Sequence, residues 1–179
     1  MSKKVDKIKL DFSALAEQWL ASVSHGVKES TLAHYDYTLQ RYLLPVFGAW
    51  KVHGLDEHRL EQGMLEVIYP KSGNHKPLGA SSARECLSIL RRICKYAAHL
   101  RLMRPVEILV KLPQFERVQT KPLSVQEQAC LRDFVLEHPT TRKAGLLLQM
   151  QLGLRIGEVC GLQWGDFDLS AGVLTIRRT

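Results

Sequence analysis

The sequence predicts a mainly α protein: a four-helix domain followed by a shorter α+β segment. Three observations predict it. Apolar residues recur at helical spacing in four stretches before residue 103. A tract without periodicity, residues 110–123, holds Pro113 and Pro122 and reads as a linker. The one run that alternates and is β-branched like a strand, Gly172 to Ile176, lies close to the C-terminal end.

The elements follow in order. Residues 1–10, with Lys3, Lys4, Lys7 and Lys9, are expected to form a flexible basic arm. Phe12, Leu15, Ala16, Trp19 and Leu20 mark an amphipathic helix over about 11–23, closed by a turn at His25-Gly26. Ser30 or Thr31 is placed to cap a second helix, with Leu32, Tyr35, Leu39, Tyr42 and Leu43 on its apolar face. Pro45 and Gly48 are expected to end it. Asp56 caps a third helix reaching about Ile68, and residues 70–79 read as a loop. The fourth and longest helix spans about Ser81 to Leu102, with Ala83, Leu87, Leu90, Cys94 and Ala97 inward and Arg104-Pro105 as its stop.

These four helices make a domain over 11–109, with a linker over 110–121 and a second domain over 122–179. In the latter, Ser124-Val-Gln-Glu127 is a capping box opening a helix to about Glu137. A further helix starts at Thr140 or Thr141 and runs to Leu152. Gly153-Leu-Arg-Ile-Gly157 interrupts it, and Glu158 to Leu162 gives another turn.

Composition excludes some classes. The 179 residues are 45% apolar and 24% charged, near globular averages. No run approaches the roughly 18 apolar residues of a membrane span, and the charged N-terminus lacks a signal-peptide core. A soluble, cytoplasmic protein is expected. The net charge of +7 favours a polyanionic partner. Its excess sits early: residues 1–120 hold 18 basic and 12 acidic side chains, residues 121–179 hold 7 and 6. Cys86, Cys94, Cys130 and Cys160 lack the close spacing of a zinc knuckle, so buried free thiols and no metal site are expected.

Two groups of residues carry candidate chemistry. On the fourth helix, 100° per residue gathers Arg84, Ser88, Arg91 and Lys95 into one narrow stripe, with Arg92 further round and Ser81 at its start. Lys28, Thr31 and Arg41 form a second basic and hydroxyl group in and before the second helix. Both suit phosphate contacts, and both are also what a solvated helix face looks like. Trp19 and Tyr35 read as core rather than base-stacking residues. The other group is Gly153 to Asp168. Arg155 beside a helix break can put a planar, permanently charged fork into a cleft and grip two phosphate oxygens. Glu158, three residues on, is spaced to orient it. An Arg–Glu pair on a solvated surface fits the same spacing.

Gly153-Leu154-Arg155-x-x-Glu158, then Leu162-x-Trp164-x-Asp166 and the strand Val173 to Ile176, resembles the first catalytic block of the tyrosine recombinases, the phage-integrase family. Leu123-Ser124-x-x-Glu127 resembles the opening of that catalytic domain. The helical half is similar to the family's SAM-like core-binding domain, and Leu102 to Val106 to its exit, with Arg104 where an asparagine is usual. The resemblance covers nearly the whole chain. It implies double-stranded DNA as partner, a nucleoid association, and DNA integration or recombination through a phosphotyrosyl intermediate, with no metal or nucleotide cofactor. It implies a homo-oligomer on DNA, a tetramer in full-length members. Arg155 matches the first catalytic arginine and Glu158 its acidic support.

The family's lysine, histidine-x-x-arginine block and tyrosine have no match here, and Tyr35, Tyr37, Tyr42, Tyr69 and Tyr96 all precede the block. The chain is therefore expected to be a truncated catalytic domain that binds without cutting, its last strand left without hairpin partners. The alternative is a non-enzymatic helical adaptor or regulator whose basic face meets an acidic protein.

Overall fold

The computed structural model describes residues 10–71, 76–114 and 121–178. The expected basic arm, apart from Leu10, lies outside them. The chain divides into two compact units, Met1–Arg117 and Val118–Thr179.

The first unit is helical. α1 (Phe12–Val23) buries Phe12, Leu15, Ala16 and Trp19, the face its apolar spacing defines. α2 (Glu29–Thr38) begins earlier than expected. Lys28 is its N-cap, with no side-chain cap bond, and Thr31 lies inside the first turn, so neither Ser30 nor Thr31 caps it.

Pro45 does not end this helix. A widened π-type turn at Leu39–Leu43 leads directly into α3 (Leu44–Phe47). Proline has no N–H to complete a regular ladder, and a wide turn ahead of it accommodates that lack. The helical run stops only at Gly48.

α4 (Glu57–Ile68) starts where predicted, with the Asp56 carboxylate accepting the Arg59 backbone N–H at 2.8 Å. α5 (Ala80–His99) is the longest helix and buries Ala83, Cys86, Leu87, Ile89, Leu90, Ile93, Cys94 and Ala97. It stops before Arg104-Pro105, in a Schellman-type closure. Arg101 takes a left-handed φ of 58°. The Leu102 and Arg101 N–H groups return to the carbonyls of Ala97 and Ala98, each at 3.0 Å.

One continuous core joins Phe12, Leu15 and Trp19, Leu39, Leu43 and Phe47, Leu60, Met64 and Ile68, and the inner face of α5. The segment after α5 closes over it. Ile108 is buried, and Val106, Val110 and Leu112 pack against the core, so residues 110–112 lie on the helices although the sequence assigns them to a linker.

The second unit has little interior. α6 (Val125–Glu137), α7 (Thr141–Leu152) and α8 (Ile156–Cys160) are followed by a hairpin of β1 (Phe167–Asp168) and β2 (Val173–Leu174), paired antiparallel as Phe167 with Leu174 and Asp168 with Val173. The expectation that the final strand lacks a hairpin partner is thus corrected. Phe167–Asp168 pairs with it because Gly172, at φ 65°, turns the chain back. Only Val135 and Asp166 are buried among this unit's described residues.

The cysteines divide. Cys86 and Cys94 are buried on α5, and burial pushes both thiols up to about 12. Cys130 and Cys160 are exposed, contrary to the buried reading. Among the described residues, no cluster of three metal-ligating side chains occurs, and no helix is long and apolar enough to cross a membrane.

Close approach of α4 to α3 generates a stability prediction. A Cβ at buried Gly63 would lie 2.5 Å from Phe47 Cε1 and 2.7 Å from Trp50 Cη2. Gly63→Ala is expected to destabilise the first unit by about 1–3 kcal/mol, as overpacking of a filled core does, read as a lower urea midpoint.

Candidate functional site

α5 positions most of the predicted residues. Its inner face is committed to the core, so Ser81, Arg84, Ser88, Arg91, Arg92 and Lys95 all stand on the exposed side. They line two adjoining clefts. One, of about 330 Å³, is bounded by Ser81, Arg84, Ser88 and Arg92 with Tyr35, Glu85 and Ile89. The other, of about 500 Å³, runs along Arg84, Ser88, Arg91, Arg92 and Lys95 to Leu87 and Leu112. Two hydroxyls and four cations along one helix flank form a surface suited to a polyanion backbone.

The stripe is not uniform. Arg91 donates through Nη2 to the Ile108 carbonyl at 2.5 Å, and the Leu109 N–H donates to Glu61 Oε1 at 2.7 Å. These two bonds hold the segment after α5, so part of Arg91's donor set is structural. Arg92 donates through Nη1 to the Tyr35 hydroxyl at 2.6 Å. Glu85 brings a carboxylate into the first cleft, its Oε1 2.7 Å from His34 Nε2.

The second predicted group is only partly gathered. Lys28 caps α2 and Thr31 follows in its first turn, on the face that also carries Tyr35. Arg41 is exposed on the π-type turn and lines neither cleft. The core reading of Trp19 and Tyr35 misses one thing. Trp19 is buried, and Tyr35 stacks on it at 5.6 Å, yet the Tyr35 hydroxyl opens into the cleft. Its place on the face of Lys28 and Thr31 is the sequence signal for that.

In the second unit, Gly153 at φ 67° ends α7, and Arg155 becomes the N-cap of α8. Glu158 Oε2 accepts the Arg155 backbone N–H at 2.8 Å, and Oε1 accepts Nη1 at 3.1 Å. The predicted pair therefore forms, but not in a cleft: the Arg155 side chain is 86% exposed and that of Glu158 is 14% exposed. The carboxylate is the held partner and the guanidinium points outward.

Asp166, read from the sequence only as part of a pattern, is the buried carboxylate of this unit. It accepts the Gln163 N–H at 2.9 Å and Arg178 Nη2 at 3.1 Å, with Arg177 Nε at 3.6 Å. Gly161 admits the Arg178 stem, since a Cβ there would meet Arg178 Cγ at 3.0 Å. Trp164 is 88% exposed.

Residues 11–60 match the family model described as the phage integrase N-terminal SAM-like domain. The chain is 28% identical over 176 residues to tyrosine recombinase XerD of Proteus mirabilis, covering 93% of this chain and 53% of that protein. It thus spans about half the length of this curated relative. Among solved structures, a lambda integrase tetramer bound to a Holliday junction superposes with a TM-score of 0.68 at 15% identity, over 93% of this chain and 47% of that one. The Tn1549 transposon integrase in complex with circular intermediate DNA gives 0.62 at 16%, over 91% and 53%. At such identities the likeness is one of fold.

Three carboxylates of the second unit act as local caps and share an electrostatic consequence. The Ser124 backbone N–H, with help from its hydroxyl, lowers Glu127 below the usual carboxylate range. The Arg155 backbone N–H does the same for Glu158, with the guanidinium adding to it. The Ser170 hydroxyl and the Ala171 N–H lower Asp168. A carboxylate with a lowered folded-state pKa contributes stability above its ordinary pKa, and that contribution is lost as pH falls through the lowered value. Acid below about pH 4 is therefore expected to fray α6, α8 and the hairpin before the first unit melts. Residue-resolved NMR titration checks this, with Glu127 and Glu158 midpoints below that of an ordinary glutamate.

Proposed function

We infer that this chain is of the tyrosine recombinase family, binds duplex DNA through the α5 face and presents Arg155 to the phosphate at which a strand is exchanged. The observation that carries the DNA-binding part is the α5 stripe. Every residue predicted from that helix stands on its exposed flank, beside two clefts. Phosphate contacts of this kind fix register on a duplex and supply sequence-independent affinity.

The chemistry assigned to Arg155 follows from its cap. Glu158 pins the Arg155 backbone and one guanidinium nitrogen. The remaining N–H donors face outward as a planar fork. Such a fork matches two non-bridging oxygens and offsets the charge that develops when a phosphodiester becomes pentacoordinate. Tyr35, Tyr37, Tyr42, Tyr69 and Tyr96 all belong to the first unit, and none of them is assigned the role of nucleophile. Association of several copies on DNA, and with it a nucleoid location, extends the same proposal.

Two measurements test the reading. Arg84→Ala with Lys95→Ala should weaken binding to specific and random duplex alike and make the slope of log affinity against log salt shallower by about two. An unchanged slope with a normal melt would return the stripe to a solvated face, as the adaptor reading has it. Arg155→Lys should leave duplex affinity almost unchanged, because a contact formed in the transition state adds little to ground-state binding. A loss equal to that of the stripe variants would make Arg155 a positioning contact instead.

A further inference from the structure

The cleft between α2 and α5 contains a three-residue stack that neither the family block nor the basic stripe explains. Trp19 of α1 is buried, the Tyr35 ring of α2 lies against it at 5.6 Å, and the Arg92 guanidinium of α5 lies over the Tyr35 ring at 5.5 Å from its centroid. The Tyr35 hydroxyl accepts from Arg92 Nη1 at 2.6 Å. Arginine is among the side chains with most rotamer freedom, and an exposed one pays to be ordered when it meets a ligand. Here the ordering is already done in the free protein. The aromatic face and the phenol oxygen fix the guanidinium plane, and a single N–H of five is consumed.

We propose that Tyr35 is a positioning residue that pre-orders Arg92 toward a backbone phosphate held in the cleft of Ser81, Arg84 and Ser88; the inference rests on the DNA-binding reading above. The ligand is a phosphodiester oxygen pair, since the cleft offers two hydroxyls and two guanidinium groups around its mouth. Its one carboxylate, Glu85, is engaged with His34. Tyr35 itself gives no proton and touches no reacting atom. Its effect passes through Arg92 alone.

The test is a double-mutant cycle on the 179-residue chain, with anisotropy of a labelled random duplex measured over a salt series. Arg92→Ala should make the salt slope shallower by about one. Tyr35→Phe keeps the ring on Trp19 and removes only the hydroxyl. It should weaken binding about threefold to tenfold with an unchanged melting temperature. In the Arg92→Ala background, Tyr35→Phe should cost nothing further. The proposal is overturned by a neutral Tyr35→Phe in a chain that binds DNA, or by an unchanged slope in Arg92→Ala. It is equally overturned if the Tyr35→Phe loss persists without Arg92 and comes with a lower melt, which would make the phenol a structural staple. A wild-type chain with no salt-dependent duplex binding would remove the DNA-binding reading as well, so the two failures are told apart.

Discussion

A twenty-residue helix can bury only one face, and the first unit is organised around α5 doing so. Its inward side, from Ala83 through Leu87, Leu90 and Ile93 to Ala97, meets apolar residues of α1, of the run ending at Phe47, and of α4. Those partners hold it from several directions, so α5 has no freedom to rotate. Burial of that face therefore decides where the opposite arginines stand. The segment after α5 adds a second restraint. Ile108 enters the core while Arg91 and Glu61 hold the carbonyl and the N–H of the peptide that follows it. A basic side chain thus serves both packing and surface charge, which a helical wheel does not distinguish.

The second unit rests on a different balance. With Val135 and Asp166 its only buried side chains among those described, its order comes from hydrogen bonds made within a few residues. Glu127 closes the box at Ser124, Thr140 caps α7, Glu158 caps α8, and Asp168 gathers the Ser170 and Ala171 N–H groups in the hairpin turn. Arg155 is aimed by such a local motif. Its backbone is the N-cap, and the residue that satisfies that cap also holds its guanidinium. Large apolar side chains, among them Leu152, Ile156, Trp164 and Leu169, remain exposed in this unit. The geometry of the arginine consequently depends on chain-local bonds more than on burial.

Much of this was legible in the sequence, and for a common reason. Periodicity and caps are local properties, so α1, α4 and α5, the Asp56 cap, the Ser124–Glu127 box, the Thr140 start and the Gly153 stop follow from residue order alone. The pairing of Arg155 with Glu158 is of the same kind, three residues apart on one turn. Local rules also misplace things when a neighbour supplies what they take to be missing. Pro45 looks like a helix end until the wide turn before it is seen. The α5 end looks fixed by Pro105, yet the chain turns at Arg101, where the freed carbonyls of Ala97 and Ala98 find N–H groups.

What the sequence by itself determined is therefore the inventory: helices in order, one outward basic stripe, and one arginine capped by one glutamate. Tertiary structure alone decided which of those groups are already committed. Tyr35 and Arg92 are 57 residues apart and share a bond. Arg91 is spent partly on Ile108, 17 residues on. Asp166 is buried under Arg178, and β2 finds a partner in Phe167–Asp168. Each of these depends on distance through space between segments whose separation along the chain carries no periodic signal, because packing, not residue order, brings them within hydrogen-bonding range.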